Sequence, residues 1–178
     1  MLHNIKNSSP VTYIARVLAI PALICFFTIS ASAGKGTATA PLTHLLNLYY
    51  DLKDALVSSD AAAASKKATE LLNAINGINA GSLSADESKA FSPLQDKLSY
   101  DARHISEVQD ISHQREHFAN LSLNMFALAK AVKISVDPVY EDYCPMQKAY
   151  WLSKDKPIKN PYYGNQMLTC GKVANTIQ

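Results

Sequence analysis

An all-α fold is what this sequence predicts: an up-and-down four-helix bundle closed by a C-terminal turn-rich cap containing short strands. Three observations carry it. From Pro41 to Val132 apolar residues recur at spacings of three and four, the period of a helix with one buried face. The helical stretches are separated by short breaks that hold capping residues. After Asp137-Pro138 the period is lost, and Pro145, Pro157, Pro161, Gly164 and Gly171 punctuate short aromatic runs, as turns and one or two short strands would require.

The opening residues, 1–33, read as a cleavable export signal rather than as part of the fold. Lys6 and Arg16 precede an apolar run from Val17 to Ile29 with no acid among them, and Ser30-Ala31-Ser32-Ala33 follows. This is the positive, apolar and small-residue order of a secretory signal, too short for a membrane span. Cys25 lies in the apolar run, but Ala22-Leu23-Ile24 before it lacks the small residues that lipoprotein processing needs. Cleavage after Ala33 leaves one domain, 34–178, in a periplasmic or secreted location.

Helix one is expected over 41–58, where Leu45, Leu48, Leu52, Ala55 and Leu56 form one stripe. Helix two, over 61–76, starts behind Asp60 as N-cap, carries Ala68, Leu71, Leu72 and Ile75, and ends before Gly77 and Gly81. Ser84 and Glu87 have the spacing of a capping box and open helix three. Its stripe is Phe91, Leu94, Leu98, Ile105 and Val108, with Pro93 expected to perturb or restart the first turn. One helix reaching Val132 is too long for a small domain, so a break is placed at Asp110, which caps helix four with Phe118, Leu121, Met125, Leu128 and Val132. The cap, about 138–178, follows.

Charge excludes one class of function. The chain has 17 basic and 15 acidic residues, and removing 1–33 takes two of the former and none of the latter, so the remainder is formally neutral. No basic stripe for nucleic acid exists. Enzyme signatures are also missing: there is no serine elbow, zinc-protease helix, phosphate loop or Cys-x-x-Cys pair, and a non-enzymatic role is expected.

The cap holds the chemistry. Cys144-Pro145-Met146 and Met167-Leu168-Thr169-Cys170 set two thiol and thioether pairs in turn-rich sequence, and such soft ligands select Cu(I) over hard cations. An extended backbone about Pro145 would point Cys144 and Met146 to one side. Met167 and Cys170 are spaced to meet across one turn. The same residues admit a plainer reading. Two cysteines in an oxidising compartment form a disulfide, here Cys144 to Cys170, while the methionines fill the core.

His104, on the apolar stripe of helix three, is a fifth ligand if it faces the cap, or a core histidine bonded to a carbonyl. His113 and His117 have a chelating spacing, yet lie among Gln114, Arg115 and Glu116 on what reads as the solvated side, where Arg115 would repel a cation. Tyr140, Tyr143, Tyr150, Trp151, Tyr162 and Tyr163 either dock the cap on the helices or wall a cation site.

Tyr140, Cys144-Pro145-Met146, Tyr150-Trp151-Leu152-Ser153, Asn160-Pro161-Tyr162-Tyr163-Gly164 and Met167-Leu168-Thr169-Cys170-Gly171 together resemble the signature of an exported bacterial family, domain of unknown function 3347. Ala102-Arg103-His104-Ile105 and the run from Gln114 to Ser122 are similar to that family as well. Its members occur alone or as a C-terminal extension of periplasmic adaptor subunits of heavy-metal efflux pumps. The resemblance therefore implies a periplasmic role near copper or a related metal, with an efflux adaptor or another metal-handling protein as partner, and no established reaction. Ligand chemistry and resemblance together predict a Cu(I)-binding domain that buffers or transfers metal. The alternative is a structural or protein-interaction module stapled by the Cys144–Cys170 disulfide and without metal.

Overall fold

A computed structural model of the chain describes residues 39–178; the expected export signal, 1–33, lies outside them. Four helices come first: α1 (Ala40–Val57), α2 (Ala61–Gly77), α3 (Ala85–Glu107) and α4 (Ile111–Ala131). Three strands follow, β1 (Val139–Cys144), β2 (Ala149–Ser153) and β3 (Lys172–Ile177), with single 3-10 turns at Ala80–Ser82 and Gly164–Gln166.

The helix starts are set locally, by the residues the sequence marks for it. Asp60 accepts the Ala63 N–H at 2.9 Å. Ser84 and Glu87 form the reciprocal capping box, which satisfies two backbone donors that a helix leaves unpaired. Asp110 accepts from the N–H groups of Ser112 and His113 at 2.8 and 3.0 Å. Pro93 does not restart α3, which runs through it. A proline removes one hydrogen bond to the carbonyl four residues back; here Pro93 and Lys89 both lie on the exposed side of the helix, where solvent can take the place of the lost donor.

The class is not purely α. The last residues form a three-stranded antiparallel sheet in the order β2–β1–β3, one strand more than the sequence predicts. The hairpin pairs Tyr140 with Ser153, Asp142 with Trp151 and Cys144 with Ala149. On the other edge β1 pairs with β3 from Val139↔Ile177 to Tyr143↔Lys172, with a bulge between Glu141 and Asp142. β3 is exposed along nearly its whole length, so it has no buried face to imprint an alternating pattern.

Successive helices pack side by side, but α1 and α4 approach each other less closely than neighbours in sequence do. The sheet fills that opening, with β2 lying against α4. Tyr49 joins the three parts: its ring stacks on Phe118 at 5.2 Å, its hydroxyl meets Ser122 Oγ at 2.7 Å, and it accepts the Leu152 N–H at 3.0 Å. Leu45, Leu52, Leu71, Leu98, Phe118, Leu121, Trp151 and Leu152 form one continuous core across helices and sheet. Among the described residues no helix is long and apolar enough to cross a membrane.

Candidate metal centre

The two cysteines meet. Cys144 ends β1, Cys170 precedes β3, and their sulfurs lie 4.0 Å apart as free thiols. Cys144 is fully buried in the core, whereas Cys170 is half-buried. The Gln147 N–H points at Cys144 Sγ from 3.5 Å. Burial pushes the Cys170 thiol up, and its hydrogen bond and charge interaction with Cys144 act in the same direction.

Cys170 is held in place by the aromatic-rich loop before it. Asn160, wholly buried, donates from Nδ2 to the Cys170 carbonyl at 2.6 Å. Its N–H reaches the Leu168 carbonyl at 2.8 Å, and its Oδ1 accepts the Tyr162 N–H at 2.8 Å. Tyr162 is packed between Phe118 and Trp151, and its hydroxyl donates to the Tyr150 carbonyl at 2.5 Å. Gly171 has φ +154°, and a Cβ there would meet Trp151 Cη2 at 2.9 Å. The residue after Cys170 must therefore be glycine for the chain to cross Trp151 and enter β3. Gly164, at φ +55°, fits against Val57 and Arg115 in the same manner.

The thioethers are placed differently from one another. Met167 accepts the Cys170 N–H at its carbonyl, 3.0 Å away, so the expected turn is formed and Met167 lies at the rim, 36 % exposed. Met146 is not beside Cys144. The chain reverses at once after β1, and Met146 sits in the hairpin turn, 62 % exposed. Pro145 pre-sets a turn rather than an extended segment, and Lys148 closes it at φ 56°.

His104 stands apart from the sulfurs. The sheet rests on α4 and α1, whereas the His104 ring lies 4.5 Å from that of His117 and 4.1 Å from Tyr100. Arg115, expected beside the histidines, turns the other way. It donates to the carbonyls of Pro161 and Leu56 at 2.7 and 3.1 Å and to Ser59 Oγ at 2.8 Å, and so ties the cap to the end of α1. The aromatic residues likewise serve docking: Trp151 and Tyr162 are core side chains.

Sequence reasoning missed Asp142. Two residues before Cys144 on β1, it shares that sulfur's face of the strand, is fully buried, and neither carboxylate oxygen has a hydrogen-bond partner. Burial raises its pKa to about 7, against the opposing charge of Lys53. Lys53 is itself buried, 2.7 Å from Asp54. Strand alternation counted back from Cys144 was the signal that could have found it.

A family model described as protein of unknown function (DUF3347) matches residues 45–137, more than half of the chain. The matched span holds the helices and ends before β1, so the thiol pair lies beyond it. No curated protein and no solved structure gives a significant match.

Proposed function

We propose that this chain, which belongs to the DUF3347 family, is a soft-metal domain of a heavy-metal resistance system, holding Cu(I) between Cys144 and Cys170. One observation carries the reading: two free thiols 4.0 Å apart, one buried and one at the surface. With metal–sulfur bonds of about 2.3 Å, as in zinc thiolates, that separation subtends about 120° at a shared ion. This suits a three-coordinate centre. Met167 is the better-placed thioether for the third position, because the turn that sets Cys170 also carries it; Met146 at the hairpin tip would need the turn to fold back. His104 takes no part in this centre.

A half-buried sulfur with the Met167 thioether in the same turn suits a site that buffers or hands on an ion, since an incoming ligand can reach Cys170 before Cys144 lets go. Export rests on the signal-like 1–33, and an efflux adaptor as partner rests on the resemblance of the cap motifs. No reaction is assigned.

The competing reading, a module stapled by a disulfide and serving protein contacts, is favoured by the full burial of Cys144. Anaerobic titration with Cu(I) against a competing chelator, counting thiols in the same sample, separates the two. The metal reading expects one equivalent bound and loss of that binding in Cys144→Ser and in Cys170→Ser, with helix content kept. Unchanged binding in both variants would sink it. Two oxidised thiols and no binding, before and after mild reduction, would establish the staple.

A further inference from the structure

We infer that the outer edge of β3 is a docking site for a partner protein, which adds an extended acidic segment to the sheet as a further strand. The two edges of the sheet differ, and that contrast carries the inference. On β2 the outward backbone groups are taken by tyrosine hydroxyls: Tyr49 accepts the Leu152 N–H at 3.0 Å, and Tyr162 donates to the Tyr150 carbonyl at 2.5 Å. β3 forms the other edge and is exposed along its length. Among the described residues nothing beyond β1 pairs with its backbone.

Which groups are open follows from the alternation of bonded and non-bonded pairs along antiparallel strands. Because Tyr150 and Leu152 point outward, their neighbours on β2 bond to Tyr140, Asp142 and Cys144, and so Val139, Glu141 and Tyr143 turn toward β3. Their partners Ile177, Asn175 and Lys172 are thereby engaged, with Ala174 the extra residue of the bulge. The N–H and C=O groups of Val173 and Thr176, on either side of that bulge, are left facing solvent. Unpaired edge groups of this kind are a template for another strand, and main-chain pairing along such an edge is a recurring mode of peptide recognition.

Charge names the occupant. The cap, 138–178, carries Lys148, Lys154, Lys156, Lys159 and Lys172, all exposed, against three acids, of which Glu141 and Asp142 are buried. The third, Asp155, faces Lys159 at 3.9 Å. Three of the lysines gather where β3 begins. Lys172 is its first residue, Lys148 lies in the hairpin turn at the same end of the sheet, and Lys159 precedes Asn160, which holds the Cys170 carbonyl. A lysine on an edge disfavours neutral or basic strands, and a rim of one sign selects its opposite. A second copy brings the same lysines, and a ladder of this length alone buries less than a stable dimer needs. Gly34-Lys35-Gly36, ahead of the helices, is basic and glycine-rich, which suits neither the charge nor a strand. The segment is therefore extended and acidic at the end that meets Lys172, which antiparallel addition makes its C-terminal end. Docked there it lies beside Cys170, within reach of the thiol pair, but the docking itself does not need the thiols to hold metal.

The test is binding and amide hydrogen exchange of the mature chain with a synthetic peptide of about eight residues, alternating threonine and valine and ending in two glutamates. A second peptide ends in two lysines instead. In the free protein the Val173 and Thr176 amides should exchange as fast as those of exposed turns. The glutamate peptide should slow both about tenfold or more, and the lysine peptide should leave them unchanged. Lys172→Glu should weaken the glutamate peptide about tenfold or more and admit the lysine peptide. Thr176→Pro removes one outward N–H and no ladder bond to β1, so it should abolish peptide binding with unchanged circular dichroism. Protection of the two amides in the free protein at every dilution would mean that this chain covers its own edge. Protection that grows with protein concentration would assign the edge to a second copy. Either result, equal binding of the two peptides, no binding of the glutamate peptide, or binding kept in Thr176→Pro would overturn the site.

Discussion

Tyr49 shows how one hydroxyl can hold two layers together. It meets Ser122 on α4 and accepts the Leu152 N–H of β2, all in the buried core. A phenylalanine would keep the stack on Phe118 but strand that N–H, and an orphaned buried donor costs about 1–3 kcal/mol. Tyr49→Phe should lower unfolding stability by that amount in urea titrations; a loss under about 0.3 kcal/mol would mean that water replaces the hydroxyl. At this scale the sequence was uneven. Met167 and Cys170 were readable because one turn relates them, whereas Met146 was misplaced because proline opens a turn as readily as it keeps a chain extended. The His104–His117 contact was not readable, since it depends on how α3 and α4 are rotated against each other.

The helices were legible because their ends are decided within four residues, as at Asp60, Ser84 and Asp110. The capping box also makes a pH prediction. Burial works to raise the Glu87 pKa, but the N–H of Thr39 at 2.5 Å, and then Ser84, outweigh it, and the carboxyl is held below its ordinary value of 4.5. A carboxylate depressed in the folded state contributes stability above its unfolded pKa and loses it as pH falls through the folded one. Stability should thus be level above about pH 5 and decline below 4.5. Glu87→Gln should cost about 0.5–2 kcal/mol at neutral pH, the range of a lost cap, and flatten that acid limb. Identical acid midpoints for the two proteins would refute the assignment. Strands lack such local punctuation: β3 is defined by pairing with β1 across the loop that holds Asn160, and no window of sequence contains both partners.

For the molecule as a whole, the question is whether the helices are a finished domain or half of one. The family match ends at Asp137, which invites the view that 39–137 folds alone and the sheet is an ornament. The packing argues otherwise. The space between α1 and α4 is filled by β2 and by Trp151 and Tyr162, which bury against Phe118 and Tyr49. Arg115 bridges the Leu56 carbonyl at the end of α1 and the Pro161 carbonyl of the cap. A chain cut after Asp137 would expose that apolar seam and leave Tyr49 and Arg115 without their cap partners, so hydrophobic collapse and helix would survive while fixed packing would not. The expected outcome is near-native far-ultraviolet circular dichroism, a lost near-ultraviolet signal and strong binding of a hydrophobic dye. A truncated chain that unfolds as one sharp, cooperative transition with its aromatic signal intact would show instead that the helices are self-sufficient. In that case the thiol pair would sit on an appendage, and binding an ion there could not stabilise the bundle through the shared core.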